Sequence, residues 1–246
     1  MTKDEQWLLD EKYSGVKTPA FETDRKRLAR EEPLAYVIGW QPFLGLNIYL
    51  DSCPLIPRPE TEWWTEQLLQ STNQKIGSET RSFLDLCAGS GAIGCAALAQ
   101  LPQYRIYFGE LEPAHRGTIE KNIQMNTLDA TRAEIRIGDL FAPFVGLRFD
   151  AIAINPPYIP ETRVLADTVT NWEPAVALRA GVDGLSIIRR IAETLPQYLT
   201  PDGEAWVECD SEHAVVVQQL FESQGLHTEL RMDQYDRPRV IVVSFH

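Results

Sequence analysis

The sequence predicts an α/β fold. Strand-like and helix-like runs alternate along most of its 246 residues, and a glycine loop joins one such strand directly to a helix. Length agrees: 246 residues bury a full core, and a single α/β domain with a short appendage is the natural architecture at that size. Hydrophobic residues at 44% and charged residues at 24% place the chain among globular proteins and away from disordered ones.

Residues 1–32 are polar with a few apolar anchors (Trp7, Leu8, Leu9, Leu28), a pattern for one or two short helices without a core of their own. Over residues 34–50 aromatics and aliphatics alternate around Gly39, Gly45 and Asn47, as in a small hairpin or extended linker. Residues 1–51 therefore read as a helical segment plus hairpin linker, and residues 52–246 as the main domain. Three prolines within residues 52–62 demand an ordered loop, after which Trp63, Trp64, Leu68 and Leu69 mark an amphipathic helix. Residues 71–81 read as a polar connection.

Strands are then expected at 82–87, 105–110, 133–137 and 149–154, with helices at 92–100 and 114–125 between them, the rhythm of βαβ units on a parallel sheet. A helix at 184–195 closes near Pro196, followed by a strand at 204–208 and a helix at 212–223. Strands near 228–232 and 239–245, joined by a polar turn, are expected to form an antiparallel edge pair.

Thirty-five acidic against 23 basic residues give a net charge of −12, which repels phosphate backbones and argues against stable nucleic-acid binding. Cys53, Cys87, Cys95 and Cys209 form no C-x-x-C pair and sit in apolar runs, which predicts small buried thiols, no metal site and a reducing compartment. A charged N-terminus and the lack of a long apolar run predict no membrane association and a cytoplasmic protein.

Four constellations carry chemistry. Asp85-Leu86-Cys87-Ala88-Gly89-Ser90-Gly91 lies between a strand and a helix, where glycines admit a ligand to the backbone and the helix start offers N–H groups; a tight turn needs the same residues. Glu110 closes the next strand, where an acid can accept from both ribose hydroxyls. Gly138-Asp139-Leu140-Phe141 offers a polar side chain and an apolar neighbour to an adenine, although this is also an ordinary loop composition.

Asn155-Pro156-Pro157-Tyr158 follows the strand at 149–154, at a carboxyl end where open α/β sheets bind ligands. Its prolines stiffen the turn and hold the Asn155 side-chain oxygen and the Pro156 carbonyl as fixed acceptors. A planar NH₂ presents two donors in one plane, which such a pair matches, and Tyr158 can stack on the planar group.

These residues resemble the class I methyltransferase pattern, whose Asn-Pro-Pro-Tyr form belongs to enzymes acting on planar nitrogens. Tyr36-Val37-Ile38-Gly39, Phe43-Leu44-Gly45-Leu46 and Leu55-Ile56-Pro57-Arg58-Pro59-Glu60-Thr61-Glu62 resemble the HemK-type protein-glutamine methyltransferases specifically, as do Trp172-Glu173-Pro174, Gly184-Leu185 and Glu208. The resemblance implies a Rossmann-like, seven-stranded, mostly parallel sheet and S-adenosylmethionine as cofactor. It implies a release-factor Gly-Gly-Gln glutamine as methyl acceptor.

On that resemblance Asp85, Cys87, Ala88, Gly89, Ser90, Gly91, Glu110, Asp139, Leu140 and Asn155 would hold the cofactor. Asn155, Pro156, Pro157 and Tyr158 would carry the transfer, and Arg58, Pro59, Glu60 and Thr61 would line the substrate pocket beside them. The residues themselves equally allow Arg58 and Glu60 to be a surface ion pair. Three departures stand out: only residues 1–32 precede the resemblance, Glu110 replaces an aspartate, and Asp236 stands where glycine is common. An adenine-N6 DNA or RNA methyltransferase using the same turn, and an inactive binding module, are the competing readings.

Overall fold

The computed structural model describes residues 1–74 and 80–246. The chain opens with two helices, Lys3–Tyr13 (α1) and Pro19–Leu28 (α2). Thr2 caps α1 in a reciprocal capping box with Glu5, and Thr18 caps α2 ahead of Pro19 at its first turn. A short helix Leu34–Ile38 (α3) leads into the hairpin Trp40–Phe43 (β1) and Leu46–Tyr49 (β2).

Helix α4 spans Pro59–Gln74, so residues 71–74, expected in a connection, continue the helix. Buried Thr72 is the reason: the inward face runs one turn further than the apolar residues alone mark. The rest of that expected connection, residues 75–79, lies outside the described residues.

Alternation then follows as Arg81–Leu86 (β3), Ala92–Gln100 (α5), Tyr104–Glu110 (β4), His115–Met125 (α6), Ala133–Ile137 (β5) and Phe149–Ile154 (β6). Two one-turn helices, Asp167–Thr170 (α7) and Ala175–Leu178 (α8), precede Ser186–Thr194 (α9), which ends in a 3₁₀ turn around Pro196. Leu199–Glu208 (β7), Ala214–Glu222 (α10), His227–Met232 (β8) and Pro238–Ser244 (β9) complete the chain.

The main sheet has seven strands in the order β5-β4-β3-β6-β7-β9-β8. Its first five strands are parallel, and β9 runs antiparallel between β7 and β8. The last two strands do pair antiparallel as expected, but β9 inserts beside β7 and leaves β8 at the edge. Asp236, in the turn between them, adopts a left-handed φ of 56°, which aspartate tolerates, while the Asp233 carboxylate accepts from Tyr235 and Arg237 backbone N–H groups.

Successive strand residues feed two cores, as a sheet covered on both faces requires. Phe83, Ala151, Ala153 and Trp206 face α4, α5 and α6, whereas Leu84, Leu86, Ile152 and Val207 face α9 and α10. The hairpin joins the first core through Phe43 and Ile48, and Leu8, Leu9, Phe21 and Val37 make a separate small cluster. Gly94 permits the close seating of α5 on β4: a Cβ there would lie 2.2 Å from the Phe108 ring.

Asn122 of α6 binds the hairpin to the glycine loop. Its side chain accepts from the Tyr49 N–H (2.7 Å) and donates to the carbonyls of Tyr49 (3.0 Å) and Ser90 (2.9 Å). Cysteine burial is mixed: Cys95 and Cys209 are buried, but Cys53, expected inside, is exposed at a left-handed turn residue. No helix among the described residues is long and apolar enough to cross a membrane.

Candidate active site

The chain runs outward from β3 through β4 to β5, then returns to β6 on the other side of β3. Strand order reverses there, and in open α/β sheets the crevice at that point takes the ligand. The glycine loop after β3 and the Asn155 turn after β6 flank this reversal, so both sequence motifs meet at one place.

A cleft of about 860 Å³, counted to its open mouth, is bordered by Cys87 and Gly89 after β3, Glu110 at the end of β4, Asp139 and Leu140 after β5, and Asn155 and Pro157 after β6. Its place at the carboxyl ends of the strands is the setting of a small-molecule site. Glu110 is its polar anchor. One carboxylate oxygen accepts from the Gly89 N–H at 2.7 Å and the other from the Glu112 N–H at 2.8 Å, which ties two loops together. Each oxygen keeps a second lone pair, as two ribose hydroxyls need.

Asp85 is buried beneath the loop and accepts from the Gly94 N–H at 2.8 Å. Burial pushes its pKa up to about 8 against that hydrogen bond, and the nearby Glu110 charge adds to the rise. Cys87 (φ 62°) and Leu140 (φ 47°) hold left-handed conformations without being glycine, one in each of two loops facing the cleft. Burial pushes the Cys87 thiol far up, so it stays a neutral wall residue.

A smaller cavity between Pro57, Thr61, the Cys87–Ser90 stretch and Asn155 adjoins the cleft. A third lies beyond, between Arg58, Asn155, Pro156, Tyr158, Leu178 and Glu208. Leu55 and Asn155 line all three, so the Asn155 side chain stands where the spaces meet.

Behind Asn155 lies a buried carboxylate. Glu208, at the end of β7 and 1% exposed, accepts from Thr61 Oγ1 (2.7 Å), Trp64 Nε1 (2.7 Å) and Tyr158 Oη (3.0 Å). Burial raises its pKa against the lowering by those partners and by the Arg239 guanidinium. Burial, then the Glu208 charge, holds the Tyr158 hydroxyl well above its ordinary value, which keeps it a donor. Asn155 Nδ2 donates to Thr61 Oγ1 at 3.1 Å. The turn itself is closed from the far side by Gly184, where a Cβ would lie 2.5 Å from the Tyr158 carbonyl oxygen.

The proline loop is held by Glu173, whose side chain is 2% exposed. It accepts from Arg58 Nη2 (2.5 Å) and from the Ile56 N–H (3.2 Å). The alternative of an Arg58–Glu60 surface pair is thereby corrected, because a buried carboxylate competes better for the guanidinium than an exposed one. Arg58 and Thr61 reach the cavities, whereas Pro59 and Glu60 begin α4 and line none of the three. Asp139 borders the cleft, and its half-exposed carboxylate pairs with Arg190 at 2.5 Å.

Sequence reasoning missed Leu55, Leu111 and His115 as cleft residues. Leu111 carried a signal, being an apolar residue directly after the strand-ending Glu110, and Leu55 opens the proline-loop motif; His115 carried none. The open lone pairs of Glu110, with apolar Leu111 and Leu140 for a base, fit S-adenosylmethionine.

The family described as methyltransferase small domain matches residues 63–172. Among solved structures, a methyltransferase from Pyrococcus furiosus aligns with a TM-score of 0.54 at 14% identity over 90% of this chain and 97% of that one. A 16S rRNA N2 G1207 methyltransferase from T. thermophilus aligns at 0.55 and 17% identity over 84% of this chain and 50% of that one. Both speak for the fold alone.

Sequence relatives are much nearer. Release factor glutamine methyltransferases are 35% identical in Geobacter sulfurreducens (81% of this chain, 68% of the relative) and 34% in Thermodesulfovibrio yellowstonii (89% and 78%). The Xylella fastidiosa relative is 32% identical over 97% of this chain and 87% of its own length. Since these alignments take in the proline loop, the glycine loop and the Asn155 turn together, the chain belongs to the release factor glutamine methyltransferase family.

Proposed function

We propose that this protein transfers a methyl group from S-adenosylmethionine to the side-chain amide nitrogen of the Gly-Gly-Gln glutamine in a peptide chain release factor, and that it does so in the cytoplasm. The observation that carries this reading is the position of Asn155, common to the cleft beside Glu110 and to the cavity beside Arg58 and Tyr158. In this reading residues 52–246 carry the chemistry. Residues 1–51 flank it: α1 and α2 share a groove with Arg58, Val169 and Glu173.

When bound, S-adenosylmethionine supplies an electrophilic sulfonium methyl. Glu110 holds the ribose, and the Cys87–Gly91 loop shapes the floor against the rest of the nucleoside. Asn155 Oδ1 and the Pro156 carbonyl accept the two N–H groups of the glutamine amide and orient its nitrogen toward the methyl. The amide lone pair is delocalised in the ground state, so acceptors that gain strength as positive charge develops favour the transition state over the bound substrate. The nitrogen–methyl bond forms as the sulfur–methyl bond breaks to leave a neutral thioether, and one of the two N–H protons is lost to solvent. Positioning supplies much of the remaining rate, and no covalent nucleophile is required. Tyr158, fixed through Glu208, walls the pocket against water.

The test is methyl transfer from labelled cofactor to a purified release factor, read by mass spectrometry of the Gly-Gly-Gln peptide, with adenine-containing DNA and RNA in parallel. One added methyl on the glutamine is the expected result. Label confined to nucleic acid would establish the adenine reading instead, although a net charge of −12 disfavours it. Cofactor binding with no label on either substrate would leave the binding-module reading.

A further inference from the structure

We propose that Thr61 and Glu208 act as a positioning relay that dictates which end of the Asn155 side-chain amide faces the substrate nitrogen. The inference rests on the reading that Asn155 accepts a hydrogen bond from a planar NH₂ group. A side-chain amide has an acceptor at one end and a donor at the other, with nearly the same shape. Only the orientation with Oδ1 toward the pocket accepts from a substrate amide; the reverse sets donor against donor.

Hydrogen-bond logic selects the productive orientation. The Thr61 hydroxyl has one hydrogen and two neighbours, Glu208 at 2.7 Å and Asn155 at 3.1 Å. A carboxylate is the stronger acceptor and the closer one, so Thr61 donates to Glu208 and offers only lone pairs to Asn155. The NH₂ end of Asn155 must then turn to Thr61, which leaves Oδ1 for the pocket.

Trp64 makes this polarity stable. Its indole N–H can only donate, and it donates at 2.7 Å to the same Glu208 oxygen that Thr61 uses. That oxygen is thus an acceptor in every state of residue 208. If Glu208 takes up a proton, the hydrogen goes to the other oxygen, where the Tyr158 hydroxyl can turn and accept it. One buried group therefore braces both ends of the Asn155–Tyr158 turn, Tyr158 directly and Asn155 through Thr61.

Glutamine at 208 preserves the relay by the same argument: its carbonyl takes the Thr61 and Trp64 donors and its NH₂ faces Tyr158. Accordingly, Thr61→Ser and Glu208→Gln hold kcat within about threefold of the parent enzyme. Thr61→Val, which keeps the shape and removes the hydroxyl, lowers kcat by about 10- to 100-fold, the range seen when outer-shell partners of metal ligands are lost. Cofactor affinity by calorimetry stays unchanged throughout.

The relay acts through Asn155, so Thr61→Val added to Asn155→Ala costs no further activity, whereas a merely structural Thr61 would lower the double variant further. Transfer to the release-factor glutamine by the parent enzyme is measured first. Its absence fails the substrate assignment; its presence with full activity in Thr61→Val, or with a Thr61→Ser as impaired as Thr61→Val, overturns the relay. Should Thr61→Val fail to fold, a fall beyond about threefold in Thr61→Ser or Glu208→Gln overturns it equally.

Discussion

On the proposed reading, the two sides of the cleft are built in different ways. The cofactor side is local: Asp85, Gly89, Gly94 and Glu110 lie within one βαβ unit, and their hydrogen bonds join residues 9 and 21 positions apart. The substrate side is assembled at long range. Asn155 meets Thr61 across 94 positions, Thr61 meets Glu208 across 147, and Arg58 meets Glu173 across 115. The ribose anchor of a nucleoside site can be encoded in one supersecondary unit, whereas an amide pocket with fixed polarity needs groups from the proline loop, the β6 turn and the end of β7 at once.

The largest expected effect breaks this comparison at its centre. Asn155→Ala removes one substrate acceptor and should lower kcat by about 10²–10³-fold, the usual loss for one preorganised polar group at a reacting centre. Cofactor affinity should change little, and single-turnover kinetics with calorimetry separate the two. Unchanged turnover would falsify the role given to Asn155.

Glu110→Ala should do the converse, weakening cofactor binding by about 10- to 100-fold, since it strips two backbone N–H groups of a charged acceptor as well as the ribose of its partner. At saturating cofactor, kcat should be largely retained. If calorimetry and kinetics swapped the outcomes of these two variants, the assignment of sides would be reversed.

Glu173→Ala sharpens the long-range half. It leaves the Ile56 N–H and the Arg58 guanidinium unpartnered beside the pocket, at a cost of about 1–3 kcal/mol in urea unfolding, toward the low end because Arg58 is 35% exposed and water can replace part of the pair. A loop not clamped by Glu173 would leave both the unfolding midpoint and kcat where they were.

The remaining effect is read from pH dependence and belongs to Asp85. Its folded pKa of about 8 lies above its unfolded value of 3.8, so between those limits the folded protein holds a proton that the unfolded chain has released. Its contribution to stability is therefore present at low pH and is lost as pH rises from about 4 to about 8. Asp85→Asn should show a flatter melting temperature across that range than the parent, and parallel profiles would mean that Asp85 is ionised in the fold.

Much of this architecture was legible in the residues. The helix at Ala92–Gln100 and the strands Ala133–Ile137 and Phe149–Ile154 match their expected limits, because apolar periodicity and glycine punctuation act within a few residues. Helix α4 overran its expected end because buried Thr72 gives no apolar signal. The directions of the Asp139 and Glu60 side chains were not legible, because a side chain's direction depends on its partners, here Arg190 for one and the helix start for the other.

By itself, then, the sequence determined the α/β rhythm, the glycine loop, the acid that ends β4 and the stiff Asn155–Tyr158 turn, since each is a property of contiguous residues. Only the tertiary structure decided that Arg58 turns to Glu173 and that Glu208 gathers Thr61, Trp64 and Tyr158. It alone aims the Asn155 amide, because hydrogen-bond polarity is set by which donors and acceptors meet in space, and the strand order that brings β6 and β7 beside β3 arranges that meeting.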